Sequence, residues 1–287
     1  MNSLPLSIGR RKITEDFIFL KSRAPVRAVP LPIHSMVERK IAGNHIYLEV
    51  GAGKPVIFCH GLFGGIYNVE KLCREIAKNY RFIMPYMPVY DQAIKECSVQ
   101  MLGNYLDSFI NDLQLQEAVV IGSSIGGGAA LYSAKKKNSR IKGLVLCGSS
   151  GLSDIPVVKG FCKSRNYANL LKAMQDLFYN RSIPPEEMVQ DVFNVVQDED
   201  MMVRVGQFIK SANQNKMHMI LQCIKTPALL IWGKQDPVAP IETALRFREL
   251  LPNSTLHVFN ECGHLPTQEK PFQFLEEFFD FLKKINY

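Results

Sequence analysis

The stretch Gly122-Ser123-Ser124-Ile125-Gly126 puts hydroxyls where an apolar run, "AVVIG" (118–122), meets a run of small residues, "IGGGAAL" (125–131). G-x-S-x-G spacing sets a serine on a sharp strand-to-helix turn, and glycines two places either side let the backbones pass closely. The central position is Ser124, not Ser123. A hydroxyl there stands at the N-terminus of the next helix, where free N–H groups and the dipole favour developing negative charge. That is the chemistry of a nucleophile. Two simpler accounts compete with it. A glycine-rich turn can cradle phosphates, but the segment lacks the G-x-G-x-x-G order and any GK[ST] ending. Alternatively, the glycines serve only close helix packing, so the nucleophile needs partners.

A serine hydroxyl is a poor nucleophile until a histidine takes its proton, and a carboxylate must hold that imidazole in the right tautomer. In a doubly wound sheet such groups belong on loops after the C-terminal ends of strands. "LLIWG" is followed by "KQDPVAP", which offers Asp236, and "LHVF" is followed by "NECGHLPTQEKP", which offers His264. The chain order Ser124, Asp236, His264 is the one expected of this arrangement. His257 lies inside a strand-like run, His218 in a helical segment, and His34 and His45 precede the core. Glu261 and Asp198 compete with Asp236, but neither follows an inner strand. Two N–H groups must also hold the oxyanion. Ile125, next to the nucleophile, supplies one, and Leu62 in "HGLFGG" (60–65) supplies the other. His60 is expected to brace that loop rather than act as a second base.

These side chains need a scaffold. Strand-like runs recur at 45–50, 56–60, 81–85, 118–122, 141–148, 227–233 and 255–259. The middle ones show no clean alternation, which suggests burial on both faces. Helical periodicity fills 68–79, 98–114, 125–137, 241–250 and 268–284. The alternation predicts an α/β fold: a doubly wound, mostly parallel sheet covered on both sides. From 151 to 222 there is no strand signal, only helical spacing, with Pro184-Pro185-Glu186-Glu187 reading as a helix start. The expected organisation is an N-terminal extension (1–35), a core (36–150 and 223–287) and an all-helical insert (151–222).

Composition excludes several classes. Hydrophobic residues at 47% and charged residues at 21% fit a globular chain, not a disordered or coiled-coil one. No apolar stretch approaches the ~20 residues of a membrane span. Arg10-Arg11 raises the question of a secretion signal, but Glu15 and Asp16 follow and no long apolar segment precedes Lys21. Seven cysteines, none in a CxxC pair, read as buried reduced thiols. Together these lead to the expectation of a cytoplasmic protein. The basic cluster Lys135-Lys136-Lys137, with Arg140 and Lys142, follows a helix, where cations complement the dipole. No aromatic interleaving accompanies it, so no nucleic-acid partner is expected.

Four motifs now stand in order: "HGLFGG", "GSSIGG", "WGKQDPVAP" and "CGHLPTQEKP". From about residue 36 to 287 the chain resembles the α/β-hydrolase fold family. The resemblance implies a nucleophile at Ser124, an acid at Asp236 and a base at His264, with oxyanion donors at Leu62 and Ile125. It also implies no cofactor or metal, and it puts the helical insert at the family's lid position. Within the family the layout resembles the branch of meta-cleavage-product (carbon–carbon bond) hydrolases and small esterases. It departs from the former by Ser123 where they usually carry Asn, and by Leu265-Pro266 where they usually carry Trp. It also has "MPYMPVYDQ" where many relatives have a glycine-rich loop.

The insert is apolar, and Phe161, Met174 and Phe178 are candidate substrate contacts, with Tyr86 and Tyr90 lining the same cleft. A hydrophobic acyl or aromatic small molecule is the expected partner. Arg204 is a candidate for a substrate carboxylate, a solvent-facing helical position being its simpler reading. The expected function is a serine esterase or thioesterase. The alternatives are a carbon–carbon bond hydrolase of a dienoate, an acyltransferase, or a ligand-binding protein without turnover. Oligomeric state is not readable from these residues.

Overall fold

The computed structural model describes residues 37–65, 69–91, 95–152, 166–181, 184–214 and 217–287. Among them, eight strands make one sheet: β1 (Glu38–Ala42), β2 (His45–Val50), β3 (Pro55–Cys59), β4 (Arg81–Pro85), β5 (Ala118–Ser123), β6 (Ile141–Cys147), β7 (Ala228–Gly233) and β8 (Ser254–Phe259). Their spatial order is β1-β2-β4-β3-β5-β6-β7-β8. The β1–β2 and β2–β4 pairs are antiparallel, and every other pair is parallel.

Every residue of β5 (AVVIGS) and β7 (ALLIWG) is buried, as apolar runs must be when helices cover both faces of a parallel sheet. β1 is the strand that the sequence pattern does not announce. Its residues, ERKIA, are largely charged and form an edge. Lys40 bonds Glu49 of β2 at 2.9 Å, and Glu49 also takes Arg81 of β4 at 2.7 Å, so a row of charges crosses three strands.

Helices α1 (Glu70–Ile76), α2 (Val99–Asp112) and α3 (Ile125–Ala134) connect the strands from β3 to β6. Between β6 and β7 lie α4 (Tyr167–Gln175), α5 (Glu186–Gln197), α6 (Glu199–Gln214) and α7 (His218–Cys223). α5 begins behind Pro185, with Glu186 and Glu187 in its first turn, where acidic groups complement the dipole. α8 (Ile241–Leu250) links the last two strands. The expected final helix is two, α9 (Pro266–Glu269) and α10 (Pro271–Lys284). Pro271 forces Lys270 out of the helical region, to φ −134° and ψ 52°. Phe58, Phe82, Phe274 and Phe278 form the heart of the core on the α1/α10 side. Among the described residues, no helix is long and apolar enough to cross a membrane.

The sheet order reverses around β3: the chain goes from β3 to one neighbour, β4, and then to the other, β5. In open α/β sheets a crevice forms beyond the strand ends at such a point.

Candidate active site

Ser124 follows β5 with φ 52° and ψ −120°, a conformation that costs a non-glycine residue ~1–3 kcal/mol. Its backbone is held there on both sides. The Ser124 amide donates to Cys147 O at 2.9 Å, and the Ser124 carbonyl accepts from Gly127 N and Ser150 N, each at 3.0 Å. The turn also demands missing side chains. A Cβ on Gly126 would stand 2.2 Å from Cys59 O, so only glycine lets α3 come this close to β3. From Ala118 to Ala134 every residue is buried except Ser124. Ser123 is buried, with 4% exposure, whereas Ser124 is half-buried.

The loop after β3 lies against it. A Cβ on Gly61 would be 3.3 Å from Ser124 Cβ, which brings the Leu62 and Ile125 segments to the same spot. His60 braces this loop. Its Nε2 accepts from Met87 N at 3.1 Å, so its Nδ1 carries the proton and donates to Gly61 O at 2.7 Å. Burial lowers its pKa below the ordinary 6.5, against the opposing bond to Gly61, and the ring is neutral with both nitrogens engaged. Tyr90 OH donates to Leu62 O, a second tie to the segment after β4.

Asp236 and His264 meet at the ends of β7 and β8. His264 Nδ1 lies 3.0 and 2.9 Å from Asp236 Oδ1 and Oδ2, and the carboxylate side chain is wholly buried. An ionised carboxylate only accepts, so Nδ1 carries the proton and Nε2 has a lone pair for a hydroxyl proton. Asp236 Oδ1 also accepts from Val238 N at 2.8 Å and Ala239 N at 2.9 Å. Trp232 Nε1 holds the far end of this turn through Ala239 O at 2.7 Å. The end of β6 joins the two halves of the site: Cys147 O takes the Ser124 amide, and the next residue, Gly148, abuts both His264 and Asp236.

The other candidates fall elsewhere. His257 pairs with Glu277 at 2.8 Å, Asp198 caps Met201 N at 3.0 Å, and Glu261 is exposed. Met174 and Phe178 are buried at the end of α4 and just beyond it. Tyr86 is half-buried, its carbonyl accepting from Tyr105 OH at 3.0 Å, and Phe161 lies outside the described residues. Arg204 is not solvent-facing. It is buried on α6, with Nε donating to Val89 O at 3.2 Å, because the segment after β4 folds over it. Sequence reasoning missed Gln235, Gly148 and Glu269. Gln235 Oε1 accepts from Cys262 N at 3.1 Å, and Glu269 Oε1 accepts from Gly263 N at 2.8 Å. Only Gly148 left a signal, as a glycine just beyond a buried strand.

A family model described as the alpha/beta hydrolase fold matches residues 54–271. The Bacillus subtilis protein named uncharacterized hydrolase YugF is 27% identical over 262 residues, spanning 85% of this chain and 96% of its own length. The 2-hydroxy-6-oxo-2,4-heptadienoate hydrolase of Pseudomonas putida is 27% identical over 252 residues, spanning 82% and 91%. Among solved structures, a serine hydrolase involved in carbazole degradation superposes with a TM-score of 0.74 at 25% identity, over 86% of this chain and 98% of its own. A mostly parallel sheet with a strained serine turn, and a family model matching most of the chain, lead to one conclusion: this chain belongs to the alpha/beta hydrolase fold family and is a hydrolase.

Proposed function

We propose that the chain is a serine hydrolase in which Ser124, His264 and Asp236 form the catalytic triad, acting as an esterase or thioesterase on hydrophobic acyl or aromatic compounds. The observation that carries this reading is a buried Asp236–His264 couple together with a half-buried serine at a strained turn. His264 Nε2 takes the Ser124 proton as Oγ adds to the substrate carbonyl. The Leu62 and Ile125 amides hold the oxyanion, and one such donor is worth ~3 kcal/mol in the transition state. His264 then protonates the leaving group, and water attacks the acyl-enzyme through the same base. The helices between β6 and β7 act as the lid, with Met174, Phe178 and the insert's Phe161 supplying apolar contacts. Tyr86 and Tyr90 contribute from the other wall.

A second reading is hydrolysis of a carbon–carbon bond in a dienoate. Its support is the dienoate hydrolase among the relatives and the burial of a cation, Arg204, beside Val89. Ser123 and Leu265-Pro266, in place of that branch's usual Asn and Trp, favour the ester reading. The test is labelling with a fluorophosphonate on wild type, Ser123→Ala and Ser124→Ala, followed by turnover of p-nitrophenyl esters, acyl thioesters and a conjugated dienoate. Labelling lost only in Ser124→Ala, with ester turnover, supports the proposal. Folded wild type that neither labels nor turns over any of the three would overturn it, and turnover of the dienoate alone would move the assignment to the second reading.

A further inference from the structure

The turn that carries His264 has its three consecutive amides captured by three different parts of the chain. Cys262 N donates to Gln235 Oε1 of the acid-bearing loop at 3.1 Å, and Cys262 O accepts from Gln235 N at 3.0 Å. Gly263 N donates to Glu269 Oε1 at 2.8 Å, and His264 N donates to Leu177 O at 2.8 Å. Leu177 belongs to the segment leaving α4, on the insert side. Glu269 reaches that segment too, because its second oxygen, Oε2, accepts from Tyr179 N at 2.8 Å. One carboxylate therefore divides its two oxygens between the histidine turn and the insert. The two backbones are nearly in contact here, since a Cβ on Gly263 would stand 2.4 Å from Leu177 O.

We propose that Glu269 is a positioning residue, one that ties the segment beyond α4 to the His264 turn and so keeps the imidazole in place against Asp236. The proposal rests on the triad assignment above. Amide donors approach both oxygens, Tyr179 N at Oε2 and Gly263 N at Oε1, so both positions must accept. Only a carboxylate offers both, because a glutamine would turn its NH2 group against one of the N–H groups. Burial pushes the Glu269 carboxyl above the usual carboxylate range, and the amides of Tyr179, Gly263, Leu265 and Asn180 oppose that rise. The site thus tolerates a desolvated acid where a neutral side chain would bury more easily. An imidazole that drifts by about 1 Å loses on the order of 100-fold in rate.

The experiment compares wild type, Glu269→Gln and Glu269→Ala by two readouts. Turnover of p-nitrophenyl butyrate separates kcat from KM, and proton NMR follows the low-field His264 Nδ1–H signal, which reports the hydrogen bond to Asp236. Glu269→Ala is expected to lose ~100-fold in kcat with KM little changed. Its His264 Nδ1–H signal should move upfield or be lost to exchange as the ring loosens from Asp236. Glu269→Gln keeps an acceptor at one of the two oxygen positions and should lie between. A folded Glu269→Ala protein with wild-type kcat and an unmoved Nδ1–H signal, whatever its melting temperature, overturns the proposal. A loss confined to KM overturns it as well. If Glu269→Ala does not fold, Glu269→Gln decides by the same readouts. The Nδ1–H signal needs no turnover, so an inactive wild type would defeat the functional reading and still leave this test decisive.

Discussion

Gly148 packs directly against His264: a Cβ at Gly148 would stand 2.9 Å from the imidazole Cε1 and Nδ1, and 3.0 Å from Asp236 Oδ2. The residue also has φ +50°, where an alanine costs ~1–2 kcal/mol. Gly148→Ala should therefore lower the melting temperature and push the ring off its carboxylate. The expected loss in kcat is ~100-fold, measured by ester turnover on protein shown to be folded by circular dichroism.

Asp236 fixes which nitrogen of His264 carries the proton. Asparagine fits the same space, keeps an oxygen for Val238 N and Ala239 N, and turns an N–H toward the ring. Nε2 then holds the proton and cannot take one from Ser124. Asp236→Asn should cut kcat by ~10,000-fold and slow fluorophosphonate labelling in parallel, with stability close to wild type. Undiminished labelling would show that Asp236 does not set the tautomer.

Glu49 makes folding sensitive to acid. Burial alone would raise its pKa, but the hydrogen bonds from Arg81 and Lys40 outweigh it and the folded value lies below 4.5. A depressed folded pKa contributes stability above the unfolded value, and that contribution is lost as pH falls through the folded value. At neutral pH Glu49→Gln should cost about 1–2 kcal/mol. The gap in melting temperature between wild type and variant should shrink as the pH drops below 4.5. A gap that stays constant down to strong acid would contradict the sign.

Thiol reactivity should follow burial. Burial pushes Cys59 and Cys73 up to about 12, and Cys147 and Cys262 higher still. Among the described cysteines, Cys223 is exposed and Cys97 half-exposed. Among these six, brief treatment with iodoacetamide, read by peptide mass spectrometry, should modify Cys223 first and Cys97 next. The four buried thiols should react only after unfolding, because the thiolate is the reacting form.

The alternation of apolar runs and helical periods carries enough information for the parallel part of the sheet, because β3 and β5 to β7 are buried on both faces and leave few polar interruptions. β1 escapes that reading, since an edge strand is allowed charges and Glu38, Arg39 and Lys40 erase its pattern. Ser124, Asp236 and His264 stand out through chain order and their places after strands. Their supports do not. Gln235 and Glu269 look like any loop or helix polar residue, and their partners are backbone amides set by how distant segments meet. Arg204 misleads for another reason: it shares a helix face with Met201, Val205 and Phe208, but its charge reads as a sign of solvent, and the segment after β4 covers it.

Trp232 is the chain's single tryptophan, fully buried and bonded through Nε1 to Ala239 O, three residues beyond Asp236. Its indole emission is consequently a built-in optical reporter of the acid-bearing turn. Any event that loosens this turn should shift the emission to longer wavelength as water reaches the ring, whereas motion confined to the distant edge strand should leave the emission unchanged.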